Sequence, residues 1–316
     1  MPFRPAIIEP NYDSFFDRAM GGQPARLRIK LKVTLVPLDP STPWARSPHS
    51  APLPEVMSGA TIPPDHLAPN MSAIKRGKVV DANGQPVACR SWLVSEWNEF
   101  VSRFKHSVEY AWNNQMIFLP TESGVPGDEL SDDDFRLLIG NPRIPAHAEG
   151  ALEIELQPKG KIGHAVIEVV HLASPGSTFR DRMTRITDES VIFSNSTFTY
   201  GRARGVTGKT GQIAAAHEVG HWLRNPATGV NDHIDRAYAL TLPSAQQDSA
   251  QYGKTLGRFY SMMGGGSTVS EHDALPFIAR LRRQAPMKFG WTLMHRIYFQ
   301  HALGDISDRQ RRLTGL

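Results

Sequence analysis

Cysteine is nearly absent from this chain, since Cys89 is the only one among 316 residues. A single thiol excludes an intramolecular disulfide, and it also excludes a cluster of thiolates that could hold a metal. Any metal in this protein would therefore be held by histidine and carboxylate side chains.

Long apolar runs and blocks of like charge are lacking too. No apolar run approaches the roughly 20 residues of a membrane span, and residues 1–20 have no apolar segment behind a basic start. We therefore expect no membrane span and no cleavable signal peptide. The net charge of +4 comes from 35 basic and 31 acidic residues spread along the chain. Because the longest basic block is "RLRR" at 280–283, nucleic acid is not an expected partner.

Periodic patterns predict the main elements. Apolar residues alternate with polar ones at 25–38, which is typical of a half-buried strand. Residues 91–114 carry tryptophan, phenylalanine and valine at helical spacing, which predicts a long amphipathic helix. The proline-rich stretch between them, at 39–76, is interpreted as an irregular surface segment. Shorter segments predict strands at 115–120, 151–158, 163–173 and 190–198, and helices at 273–284 and 290–302.

The stretch "AAAHEVGHWLRNP" at 214–226 carries the clearest chemical signal. Residues four apart on a helix project from one face, so His217 and His221 could bind one Zn²⁺. Glu218 would lie beside the metal, where it could take a proton from a water molecule and pass it to the leaving amine. Gly220 costs roughly 1 kcal/mol against alanine in a helix, which close packing of another element would explain. Pro226 is expected to end the helix near residue 224 or 225.

The sequence "HEVGH" resembles the motif of the zincin metallopeptidases. The stretch "YSMMGGG" at 260–266 is similar to the methionine-containing turn beneath the metal in the metzincin branch, with Met263 the preferred methionine and Met262 the alternative. This resemblance implies an α+β zincin-like fold, in which a long helix backs a mixed sheet and helices follow the turn. It implies an extension at 1–90 and a metallopeptidase domain at 91–316.

The resemblance also implies an activity. We expect a zinc-dependent endopeptidase that acts on a protein or peptide, with an edge strand around 191–198 aligning the substrate. Tyr260, or alternatively Tyr252, could donate a hydrogen bond to the oxyanion of the tetrahedral intermediate.

The third metal ligand departs from the metzincin pattern. Arg224 stands where that pattern has a glycine, and Ala227 stands where it has the third ligand. His233 is the preferred replacement, because imidazole is the commonest partner of two histidines and a loop after the helix can return it to the metal. The alternatives are Asp232, Asp235, Glu271 and His272.

Other interpretations stay open at this point. The order of elements resembles bacterial antagonistic metallopeptidase effectors, which implies a toxin delivered by a non-classical route and an immunity or inhibitor protein as partner. A housekeeping cytoplasmic protease would have the same features. A catalytically inactive zincin-like binding or structural protein is the main rival, and a nucleic-acid or cell-surface binder ranks last.

Overall fold

The alternating pattern at residues 25–38 folds as a strand in the computed structural model, and this strand lies inside an eight-stranded mixed sheet. The structure describes residues 6–7, 11–20, 23–38, 79–80, 86–120, 147–158, 161, 163–173, 181–192, 194–200, 206–223, 233–234, 236–253, 259–285 and 290–300. The proline-rich stretch predicted at 39–76 lies outside these ranges.

Twelve strands occur in the described residues. They are β1 (Ala6–Ile7), β2 (Asp13–Asp17), β3 (Ala25–Pro37), β4 (Val79–Val80), β5 (Pro86–Val87), β6 (Met116–Pro120), β7 (Ala148–Leu156), β8 (Ala165–Val170), β9 (Arg185–Thr187), β10 (Ser194–Tyr200), β11 (Val206–Gln212) and β12 (Trp291–His295).

Five α-helices with both ends described, two 3₁₀ turns and a helical segment at 296–300 occur in addition. The helices are α1 (Val94–Trp112), α2 (Ala214–Gly220), α3 (Arg236–Ala239), α4 (Ser244–Ala250) and α5 (Glu271–Gln284), and the 3₁₀ turns are Asp188–Val191 and His221–Leu223. None of the described helices is long and apolar enough to cross a lipid bilayer.

β3 is the central strand of the large sheet. It pairs antiparallel with β2, and it pairs parallel with β7 and with β8. The carbonyl of Val33 accepts from Gln157 N at 2.8 Å, and the carbonyl of Lys32 accepts from His164 N at 2.8 Å. Successive carbonyls of a strand point to opposite edges. β7 therefore pairs along one edge of β3, whereas β2 and then β8 pair along the other edge.

The two faces of β3 differ in chemistry. Its inward residues are fully buried and apolar: Ala25, Leu27, Ile29, Leu31 and Val33. Its outward residues between them are all basic: Arg26, Arg28, Lys30 and Lys32. The neighbouring strand β7 supplies acidic partners, because Arg28 forms an ion pair with Glu153 at 3.2 Å and Lys30 with Glu155 at 3.3 Å.

Helix α1 covers the sheet and fastens to β7. Its buried residues, Phe100, Phe104, Val108, Ala111 and Trp112, belong to the main core cluster. Just after the helix, Asn113 exchanges two hydrogen bonds with the backbone of Leu152, at 3.0 and 2.7 Å. Glu109 accepts from Ile154 N at 2.8 Å. Strand β7 pairs with β6 only at residues 148 and 149. Farther along β7, the side chains of Asn113 and Glu109 satisfy its backbone groups, and these bonds fix α1 relative to the sheet.

The expected architecture, a mixed sheet backed by a long helix with a second helix after residue 270, is confirmed at this coarse level. Two element predictions are correct only in part. The strand predicted at 190–198 begins only at Ser194, because Asp188–Val191 forms a 3₁₀ turn, and it pairs with β11 in a separate two-stranded ribbon. The helix predicted at 290–302 begins as strand β12, paired antiparallel with β6, and only residues 296–300 are helical in the described part.

Candidate metal centre

Three histidines lie together at the end of the motif helix. His217 belongs to α2, His221 to the 3₁₀ turn that follows it, and His233 to the segment before α3. One ligand atom from each ring lies within 4.8 Å of the others. The ring centroids form a nearly equilateral triangle with sides of 5.1, 5.1 and 4.9 Å. The structure therefore brings together the three histidines that the sequence placed first.

The spacing of two ligand atoms fits a tetrahedral metal. The Nε2 atoms of His217 and His233 are 3.2 Å apart. Two nitrogens bound to one zinc at about 2.0–2.1 Å in tetrahedral geometry are about 3.3 Å apart. A Zn²⁺ ion would therefore fit between these two atoms without a large shift of either ring.

The opposite nitrogens of the same rings face oxygen atoms. His217 Nδ1 lies 2.7 Å from the carbonyl oxygen of Met262, and His233 Nδ1 lies 3.0 Å from Oε1 of Gln251. Because the backbone carbonyl of Met262 can only accept, His217 Nδ1 carries the proton and His217 Nε2 presents its lone pair. The oxygen of Gln251 favours the same tautomer for His233. The two Nε2 atoms, 3.2 Å apart, lie close enough to share one metal ion, and the three histidines together could hold it.

Burial keeps His217 neutral. Removal from water and, to a smaller extent, the nearby His221 lower the pKa of His217, the hydrogen bond to Met262 opposes them, and the net pKa is about 3. An imidazole must be neutral to donate its lone pair to a metal. His217 is therefore ready to act as a ligand over the ordinary pH range.

The methionine turn lies directly against the motif helix. A Cβ atom at Gly220 would overlap Sδ of Met263 and would lie 3.0 Å from Cζ2 of Trp112. Both Met262 and Met263 are fully buried. The glycine inside α2 is therefore explained by the approach of the thioether and the indole. Trp112 also donates its indole N–H to the carbonyl of Ala216 at 3.0 Å, which ties α1 to the residue before His217.

The glycines after the two methionines are needed for the shape of the turn. A Cβ atom at Gly265 would lie 2.7 Å from the ring of Phe259, and one at Gly266 would overlap the backbone of Tyr260. Tyr260 in turn accepts from Thr268 N at 3.0 Å, which closes the turn. The run "GGG" therefore lets the chain fold back on itself beneath the histidines.

Glu218 directly follows His217 in α2. Burial and, to a smaller extent, the charge of Asp181 raise the pKa of Glu218, Arg182 opposes them, and the net pKa is about 8. Asp181 is itself held by Thr187 N at 2.9 Å and by Ser190 Oγ at 2.7 Å. A divalent cation beside Glu218 would act in the opposite direction and favour its carboxylate form.

Two tyrosines were expected near the site, and they lie in different places. The ring of Tyr252 is 4.4 Å from that of His233 and 5.9 Å from that of His217, measured between centroids. The ring of Tyr260 contacts Phe259 at 5.9 Å, within the methionine turn. Tyr252 is therefore the tyrosine that contacts the site histidines.

Two of the four alternative third ligands lie outside the histidine group. Glu271 is exposed and His272 half-buried at the start of α5, and within the described residues neither belongs to the metal-binding group. Asp232 and Asp235 lie outside the described residues.

Several residues that support the site were missed in the sequence. Gln251 and Asp181 belong to no motif, and only the fold brings them to His233 and Glu218. Asp273, whose contacts are described below, could have been noticed, because "SEHD" at 270–273 has the spacing of a capping box. A capping box predicts that a helix starts at this point. It does not predict a contact with the metal site.

Comparison with protein-family models, with curated protein sequences and with solved structures found no match for this chain. The resemblance to the zincins therefore depends on the motif and on the arrangement of the site residues.

Proposed function

We propose that this protein is a zinc-dependent endopeptidase. His217, His221 and His233 hold the metal, and Glu218 acts as general base and then as general acid. The observation that carries the proposal is the convergence of three imidazoles on one point, with the glutamate next to the first of them along α2. A structural zinc site normally has four protein ligands, whereas three ligands leave one position open for chemistry.

Each residue has a defined task in this proposal. Bound zinc supplies Lewis acidity and lowers the pKa of water in its open position to about 7. The Glu218 carboxylate takes a proton from the attacking water and delivers it to the nitrogen of the leaving amine. Tyr252, which lies against His233, is better placed than Tyr260 to donate a hydrogen bond to the substrate oxyanion.

The test combines metal content with hydrolysis. Zinc is measured in the purified full-length protein by elemental analysis, and cleavage of a diverse peptide library is followed by mass spectrometry. We expect one zinc per chain in the wild type and in Glu218→Gln, and cleavage only in the wild type. Glu271→Gln, a change at an exposed glutamate outside the histidine group, is the matched control and should keep both properties.

Three outcomes would contradict parts of the proposal. A wild type without zinc would refute the metal site. A Glu218→Gln protein that cleaves as fast as the wild type would refute the assigned base. Zinc binding without cleavage of any peptide would favour the rival interpretation, a zincin-like binding or structural protein.

A further inference from the structure

A buried carboxylate behind the methionine turn carries one further inference. Asp273 lies in the first turn of α5 and is fully buried. It accepts hydrogen bonds from Met262 N at 3.1 Å, from Met263 N at 3.0 Å, and from Ser270 N and Oγ at 2.7 and 2.8 Å. Burial raises the pKa of Asp273, whereas the hydrogen bonds from Ser270 and from Met263 N lower it and favour the carboxylate, which accepts from all four donors.

The two residues whose N–H groups donate to Asp273 both have carbonyls that bond to segments with candidate metal ligands. The carbonyl of Met262 accepts from His217 Nδ1 at 2.7 Å. The carbonyl of Met263 accepts from Ile234 N at 3.1 Å, and Ile234 directly follows His233. One carboxylate thus fixes two consecutive residues, Met262 and Met263. The carbonyl of Met262 orients His217, and the carbonyl of Met263 holds the segment that carries His233.

The charge of Asp273 strengthens these contacts. A hydrogen bond from a backbone N–H to a carboxylate is roughly twice as strong as one to a neutral acceptor, and linked hydrogen bonds polarise one another. Asparagine has the same shape, but its amide group brings two donors of its own. In place of Asp273 it would direct an NH₂ group towards backbone N–H donors, with no room to move in a fully buried site.

We propose that Asp273 is a positioning residue for the metal centre, which sets His217 and His233 through the backbone of Met262 and Met263. This inference rests on the metal site of the proposed function. It differs from the roles considered for its neighbours Glu271 and His272, because Asp273 acts on the ligands and is not itself a ligand.

The test uses the full-length protein and measures metal binding, not hydrolysis. The zinc Kd is determined by competition with a chromophoric chelator, and the ligand geometry is followed in the visible spectrum of the Co²⁺-substituted protein. We expect Asp273→Asn to weaken zinc binding by about 10- to 100-fold, as other changes behind metal ligands do, and to alter the Co²⁺ spectrum.

Gln284→Leu is the matched control on the same helix. Gln284 is also buried and hydrogen-bonded, but its partners are the backbone and hydroxyl of Ser14 on β2. This variant should lose stability while it keeps the wild-type zinc Kd and Co²⁺ spectrum. A purely structural role of Asp273 would make the two variants behave alike.

Ser270→Ala provides a milder change if Asp273→Asn does not fold, because it removes one of the four donors. We expect zinc binding several-fold weaker and a shifted Co²⁺ spectrum. Wild-type values in Asp273→Asn, or in Ser270→Ala if it alone folds, would overturn the inference. A wild type that binds no zinc would instead refute the metal site itself, so the two failures are distinct.

Discussion

His217 and His233 face each other through their Nε2 atoms at 3.2 Å, while the Nδ1 atoms of both rings face oxygen acceptors. A metal held by both Nε2 atoms would bind the folded chain far better than the unfolded one, in which these rings are not held together. Stability and metal binding should be linked for this reason.

Metal removal should lower the thermal stability of the protein. Zinc at about 100 times its Kd stabilises a folded protein by about 2.7 kcal/mol, which for a chain of this size is roughly 5 °C in Tm. Differential scanning calorimetry with and without a chelator measures this shift. His217→Ala, which removes the buried ligand, is the control and should show no response to the chelator. An equal Tm of the wild type under both conditions would contradict the link.

The third ligand can be identified by zinc content. His233→Ala should lower zinc occupancy, because it leaves only two imidazoles at the site, whereas Glu271→Ala should leave occupancy unchanged. Elemental analysis after dialysis against a weak chelator separates the two variants. The reverse result would place the third ligand after the glycine turn.

Gln251 should matter through the ring orientation of His233. Gln251→Ala removes the acceptor of His233 Nδ1 and should weaken zinc binding by about 10-fold. Gln251→Glu keeps an acceptor and should retain most of the affinity. Gln246→Ala, an exposed glutamine on α4, is the matched control. Equal zinc Kd values for Gln251→Ala and Gln246→Ala would exclude the proposed role of Gln251.

Two buried tryptophans provide a paired comparison. Trp112 donates to Ala216 O at 3.0 Å next to the site, and Trp291 donates to Ala285 O at 2.7 Å in another part of the core. Each change to phenylalanine should cost about 1–3 kcal/mol in the free energy of unfolding, measured by chemical denaturation. Only Trp112→Phe should also weaken zinc binding. A loss of affinity in both variants would show that general destabilisation is the cause.

Gly220 should resist replacement although it is helical. Alanine would gain about 1 kcal/mol of helix propensity, but its Cβ would overlap Met263 Sδ, and overpacking costs about 1–3 kcal/mol. We expect Gly220→Ala to lower the free energy of unfolding by up to about 2 kcal/mol. In a Met263→Ala background the same change should cost less or become stabilising. An equal cost in both backgrounds would mean that Met263 is not the obstacle.

Local patterns in the sequence predicted the elements whose periodicity is strong. β3 and α1 have one continuous apolar face each, and burial of that face fixes them. β11 reads "VTGKTGQ", with two glycines and no apolar alternation, and it becomes a strand through its pairing with β10. In the same way, the residues of β12 were predicted to be helical, because pairing with β6 is a contact between distant parts of the chain.

The residues of the candidate site also differ in whether a local sequence pattern predicts them. His217, Glu218 and His221 follow from helical spacing alone. The position of His233 depends on the path of the chain after α2, so the sequence left several ligands open. Gln251, Asp181 and Asp273 act only through contacts between elements, which the sequence does not encode locally. The domain boundary predicted at residue 90 stays a prediction.

The charge pattern of β3 has a consequence for synthesis of the chain. Roughly 110 residues separate the end of β3 from the start of β7. A ribosome that adds about 5–20 residues per second therefore needs about 5–20 s to synthesise β7, the strand that covers the second edge of β3. During this time β3 has an open edge, and its row of basic side chains keeps identical nascent strands apart. Glu153 and Glu155 of β7 then pair with Arg28 and Lys30, so two of the cations that oppose aggregation also favour the correct pairing.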